Sequence, residues 1–364
     1  MNEERADQAI KPMQEAFENL RKESGFIISP CEGPLDWEDK SRFTKMEIGT
    51  QQATQISALM QQIPSMLASE ALTNAYTVKF PQGLPHTLTA LKQGGFSTMI
   101  RGESGKFAGT ASLYPMAAEA ALLGAFTAMS VASGQYFLAK INNEMRLMNL
   151  KLDEILEFLY GDKKAELMSE MSFIQYAYQN YASIMDHEAQ RQATLVSLQQ
   201  SKKVAMKDIE FYISDLDAVV SCPAKNYEEL EQNTGKALQI RESLALSQQL
   251  FVMSSVMEVY YAQNLDNGYL SVLERDMLAY IDKCDKRTLA SFSKLDGRVN
   301  DYKASLIEKI DKSHAEKEIR QVVDALNSGE ESAMRKTLRT ALHAADKPME
   351  FYLVEGGNVY RKSI

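Results

Sequence analysis

Apolar residues along this chain fall mainly at helical spacing. Ile141, Met145, Met148, Leu152, Ile155 and Leu159 are separated by steps of 4, 3, 4, 3 and 4, a strict heptad seam. Phe292, Leu295, Val299, Tyr302 and Leu306 repeat steps of 3, 4, 3 and 4. Between the seams run amphipathic stretches, Leu195–Val219, broken at Cys222-Pro223, and Leu238–Leu265, ending near Asn267-Gly268. Tyr160-Gly161-Asp162 interrupts the first seam, and the helix resumes at Lys163. The pattern predicts helices of about 25 to 45 residues, hence ~40 to 65 Å long at the usual rise. Helices of that length cannot be buried singly, so a long antiparallel bundle or coiled coil over residues 116–345 is expected.

The ends of the chain read differently. Ile10, Met13, Phe17 and Leu20 form one stripe of a helix over Arg5–Arg21, and Ile56, Leu59, Met60, Ile63 and Met66 mark a Gln-rich second helix. Two prolines and a glycine between Ile28 and Leu35 predict a loop. Between residues 76 and 114 six glycines separate short β-prone runs: Tyr76–Phe80, Thr87–Leu91, Phe96–Ile100 and Ala111–Tyr114. These predict a small antiparallel sheet that must pack on the helices to be stable. Met349–Val354 and Val359–Ile364 flank Gly356-Gly357 as a β-hairpin, a candidate addition to that sheet. The fold class is thus mainly α with a small antiparallel β element. Its regions are an N-terminal helical segment (1–70), a β-rich subdomain (71–115), a helical bundle (116–345) with an apolar helix at 116–139, and a C-terminal hairpin (346–364).

Composition narrows the range of jobs. A net charge of -9 and a pI near 5.2 disfavour a general nucleic-acid binder and a strong pull toward anionic lipid. Cys31, Cys222 and Cys284 are odd in number and far apart, which fits neither a disulfide framework nor a metal-ligand spacing. The polar start, MNEERADQ, carries no secretory signal, so a cytoplasmic origin is expected.

Motifs for chemistry are missing. Arg101–Phe107 resembles a phosphate loop, but Ile100 and Phe107 stand where the motif needs Gly and Ser or Thr. His86, His187, His314 and His343 have no zinc spacing, and no Gly-x-Ser-x-Gly elbow occurs. Neither an enzyme nor a cofactor is expected. Met145, Met148, Met168, Met171, Met253, Met257 and Met277 read as gap-filling core. Tyr176, Tyr178, Tyr181, Tyr260 and Tyr261 read as interfacial side chains with hydroxyls reaching solvent.

One stretch departs from this plan. Ala120–Ala139 contains no charged residue and is as long as a membrane-crossing helix. Ala120, Gly124, Ala128 and Ala132 recur every fourth residue, a face that lets another helix approach closely, with Phe126 and Phe137 among its large residues. Its large apolar residues would gain only about 2 to 4 kcal/mol on insertion, and Gln135 with its hydroxyl neighbours offsets most of that. A buried central helix is the stronger expectation.

An apolar segment joined to long amphipathic helices, with a small β element nearby, resembles the plan of α-helical pore-forming toxins. The resemblance covers Met116–His314 and is architectural, with no family motif matched and one apolar helix in place of an apolar hairpin. It implies a form that refolds and oligomerises on membranes after a trigger. Two functions therefore stand: a non-enzymatic bundle acting through its heptad seams on a protein partner or on a second copy of itself, self-association being favoured, and a membrane-acting effector that inserts residues 120–139.

Overall fold

The computed structural model describes residues 27–31, 35–50, 52–54, 56–57, 60, 75–80, 88–90, 96–101, 107–112, 131, 134–135, 138, 146, 161–264, 266–303, 311–328, 331–343 and 349–362. The protein is mainly helical with a small antiparallel β element, as the periodicities predict.

Three helices form the backbone of the bundle: α3 (Glu188–Ser221), α4 (Tyr227–Ala262) and α5 (Asn267–Asp301). Two shorter ones, α1 (Gly161–Gln179) and α2 (Tyr181–Met185), precede them, and α6 (Ser313–Asn327) and α7 (Ala333–Leu342) follow. Their ends follow local chemistry. Pro223 cannot continue α3, and the Asn226 side chain accepts from the Glu229 N–H to start α4. Asp266 caps α5 by accepting from the Tyr269 N–H at 2.8 Å. Between them the chain turns at Gln263, whose φ of 53° is left-handed.

Cross-helix contacts give the directions. Gln199 donates to Glu258 at 3.0 Å and Arg191 to Gln263 at 3.4 Å, so α3 and α4 are antiparallel. Arg287 pairs with Glu210 and Lys294 with Ser221, so α3 and α5 are parallel and the trio runs up, down, up. Small side chains on α4 allow its close packing. Ser247, Ser254 and Ser255 are fully buried and donate back to carbonyls one turn earlier.

A five-stranded sheet packs against one flank, in the order β1 (Ile27–Pro30), β3 (Ala75–Phe80), β7 (Met349–Val354), β8 (Asn358–Lys362), β2 (Phe43–Lys45), with all neighbours antiparallel. Its inner face, with Val78, Phe351, Leu353 and Val359, joins helical residues such as Leu250, Met257 and Ile281 in the main core. Trp37, Phe43, Tyr352 and Tyr360 cluster together, Trp37 stacking on Tyr360 at 5.1 Å between centroids. The C-terminal hairpin therefore does join the strand that begins at residue 75, with Phe351 beside Val78.

The β region differs from expectation in two respects. Ile27–Pro30 is a strand, where the two prolines and the glycine suggest a loop. It lies on the edge, and its Pro30 stands at the strand's last position, where a missing N–H is tolerated. The runs after residue 87 do not share a sheet with β3. β4 (Leu88–Ala90), β5 (Phe96–Arg101) and β6 (Phe107–Ser112) form a separate three-stranded sheet, with β6 starting before the run at Ala111. The helix expected over Arg5–Arg21 lies outside the described residues.

Candidate functional site

Val131, Gly134, Gln135 and Leu138 are the described positions of the charge-free stretch, and all four are helical. Their spacing sets them on one face. Val131 and Leu138 are buried in the main core. Gly134 lies against the Tyr181 ring and hydroxyl so closely that a Cβ there has no room. Gln135 sits at the rim of this face. Its Oε1 accepts from the Glu47 N–H at 2.8 Å, and its Nε2 donates to Glu47 Oε2 at 3.2 Å. The polar side chain in the stretch is thus paired by a residue far away in sequence.

Tyr181 leads on to a tyrosine cluster. Tyr181 donates to the Tyr260 carbonyl at 3.2 Å, Tyr260 to Ala341 at 2.6 Å, and Tyr261 to Ala177 at 2.8 Å. All three are buried, and burial pushes each phenol far above its ordinary pKa. This corrects the expectation of solvent-reaching hydroxyls. A phenol in a dry interface needs an acceptor, and helix carbonyls supply it. Tyr176, by contrast, is exposed.

A second polar cluster ties α1 to α3. Lys163 reaches both Glu166, at 2.8 Å, and Asp208, whose side chain is only 1% exposed. Burial dominates at Asp208 and raises its carboxyl pKa. At Lys163 burial pulls the other way, but hydrogen bonds to Asp208 and Glu166 outweigh it and raise the ammonium. Nearby, Ser201 donates to Glu170, and burial, aided by Asp208, pushes Tyr212 up to about 12. Among the described residues no histidine or activated nucleophile completes a catalytic set here, and the cluster reads as an ionic tie between helices.

The end of α3 borders an open groove of about 470 Å³ lined by Leu230, Lys294, Gly297, Arg298 and Tyr302 among others. Its cations are engaged: Arg298 donates to the Val220 and Cys222 carbonyls, and Lys294 to Ser221. They cap the α3 terminus, where the helix dipole favours positive charge. Cys31 contacts Thr77 at 3.2 Å, and burial raises its thiol pKa, the opposite of what a nucleophile needs.

The second heptad seam is filled from within the chain over its described helical part; α5 ends at Asp301, Tyr302 is its cap, and Leu306 lies outside the described residues. Phe292, Leu295 and Val299 pack with Leu216 and Val220 of α3, Leu230 and Ala237 of α4, and Ala315, Ile319 and Val322 of α6. The first seam, Ile141, Met145, Met148, Leu152, Ile155 and Leu159, lies outside the described residues. So do the packing candidates Ala120, Gly124, Phe126, Ala128, Ala132 and Phe137. Among the described residues no helix is long and apolar enough to cross a membrane, and no group of three His, Cys, Asp or Glu could hold a metal ion. Glu47, Asp186 and Asp208 are not legible as site residues in the sequence, because their partners are 88, 134 and 45 positions away. Comparison with family models, with curated proteins and with solved structures finds no match for this chain.

Proposed function

We propose that the chain is a non-enzymatic helical-bundle protein, working in the cytoplasm, that acts by associating with protein chains through the seam Ile141, Met145, Met148, Leu152, Ile155 and Leu159. A second copy of itself is the favoured partner. The supporting observation is the occupancy of the other seam. Phe292, Leu295 and Val299 are the internal partner that the sequence offers to residues 141–159, and they are already enclosed by α3, α4 and α6. Two copies of the same seam satisfy the heptad pattern instead. Its flanking charges, Glu144, Arg146, Lys151, Asp153, Glu154 and Glu157, mix signs and do not oppose self-pairing.

Replacing Met148 and Leu152 by Asp tests the reading by light scattering. A fall from oligomer to folded monomer supports it, and a monomer before and after the change removes self-association through this seam. The membrane-acting alternative has its own test, flotation with vesicles and leakage of a trapped dye. Binding there would displace the association reading.

A further inference from the structure

Along one edge of α7 a cation recurs every fourth residue: Arg335, Arg339 and, at the helix end, His343. All three meet carboxylates of α5. Arg335 donates to Asp282 at 2.5 Å and to Asp285 at 2.6 Å. Arg339 Nε lies 3.2 Å from one oxygen of Glu274, and His343 Nε2 lies 2.6 Å from the other. The adjoining face of α7 is apolar, with Leu338, Ala341 and Leu342 buried in the main core. Packing therefore holds the whole helix, and charge fastens its edge.

We propose that the last turn of α7 is a pH-responsive clasp, closed on α5 while His343 carries a proton and loosened when that proton leaves. Histidine is the one member of this row whose charge changes near neutral pH. The protonated ring gains from two features of its place. The Glu274 side chain is only 15% exposed, so water screens its charge little. His343 is also the C-cap of α7, where the unpaired carbonyls of the last turn attract positive charge. Among the described residues, the other charged or titratable groups around the pair keep one state across neutrality. Arg339 opposes a second cation, but Glu331 at 3.0 Å shares its charge with Glu274. Lys336 lies two turns back on the same helix. Tyr260 of α4 is buried, neutral, and spends its hydroxyl on the Ala341 carbonyl. Neutral His343 keeps at most a hydrogen bond to Glu274 and loses both charge contributions, so the clasp weakens as pH rises. Leu338 and Leu342 stay packed, and only the helix end frays, which takes far less than global unfolding. That end includes Ala341, so the clasp sets how easily water reaches the Tyr260 hydroxyl. The inference is independent of the association reading.

The test is amide hydrogen exchange on the full chain at about pH 5.5 and about pH 8.5, with intrinsic exchange rates divided out. In the parent, amides over 339–343 should lose about threefold to tenfold in protection at the higher pH, while α3 and α4 stay level. His343→Gln keeps a neutral donor for Glu274 and should show the parent's high-pH protection at both values. Glu274→Gln keeps an acceptor without the charge and should shrink the step, leaving the part that comes from the helix end. Equal protection of 339–343 in the parent at both values overturns the clasp, as does a step that survives in His343→Gln. An undiminished step in Glu274→Gln overturns it too, because the helix end then does not close on α5.

Discussion

Asp208 shows how much one buried charge depends on one partner. Its carboxylate is almost entirely out of solvent and is held by Lys163. Lys163→Met would leave it buried and uncompensated, at a cost of about 3 kcal/mol at neutral pH. The pH dependence has a definite sign. Burial raises the Asp208 pKa in the folded state, so the folded form binds its proton more tightly than the unfolded chain does. The penalty is therefore largest above that raised pKa and shrinks as pH falls toward the ordinary carboxylate range. Urea midpoints of the variant and parent should converge at the acidic end, and a constant gap would assign the loss to packing. Gly134 makes a steric counterpart. A Cβ there meets the Tyr181 hydroxyl, so Gly134→Ala should cost ~1 to 3 kcal/mol. Tyr181→Phe removes the offending oxygen, and the Tyr260 carbonyl that loses its donor still accepts from the Gln263 N–H. The double variant should melt closer to the parent than Gly134→Ala alone, and strictly additive losses would show that the two side chains do not meet.

At the scale of elements, helices are the readable part and strands the less readable one, for a physical reason. Pro223 and Asn226 are local signals, and the end of α3 and the start of α4 fall beside them because capping acts within a few residues, whereas Gly161 and Asp162, expected to interrupt a helix, are themselves helical. Strand pairing is set by distant chain. Nothing near Ile27–Pro30 announces that Val78 stands opposite Ile28, and nothing near Tyr76 announces a place beside Leu353. The candidate site is legible only as a composition, an uncharged stretch. Its contacts with Glu47 and Tyr181 come from separate elements that no periodicity links. The β7–β8 hairpin is the exception, since its Gly-Gly turn is local. Gly356 and Gly357 have φ values of 83° and 77°, yet their surroundings differ. Gly356 has an open setting, whereas Gly357 packs directly on the Ala53 carbonyl and the Ser57 hydroxyl. Gly356→Ala should therefore cost only the ~1 to 2 kcal/mol of a left-handed residue. Gly357→Ala adds a backbone clash and should melt clearly lower. Equal melting points for the two variants would remove the close approach of this turn to residues 53–57.

Across the whole molecule, one described stretch of heptad-spaced residues lies in a core, and the seam at 141–159 is proposed to join chains. Phe292, Leu295 and Val299 belong to a core formed with α3, α4 and α6, separate from the larger core that the sheet shares with α4 and α5. A charge placed there enters a dry interior with no partner, a change in the most damaging class of substitutions. Leu295→Asp should thus cost about 4 kcal/mol or more, with early melting and loss of the helical circular dichroism signal. The proposed role of residues 141–159 leads to a different outcome. Met148→Asp with Leu152→Asp would remove an interface between chains, so the helical signal should persist while the mass falls. The pair of experiments separates a structural seam from an associative one, whatever chain the associative seam binds. If Leu295→Asp keeps its fold and loses mass instead, the internal packing of residues 292–299 fails. If Met148→Asp with Leu152→Asp melts as Leu295→Asp does, both seams serve the core, and association must run through another surface.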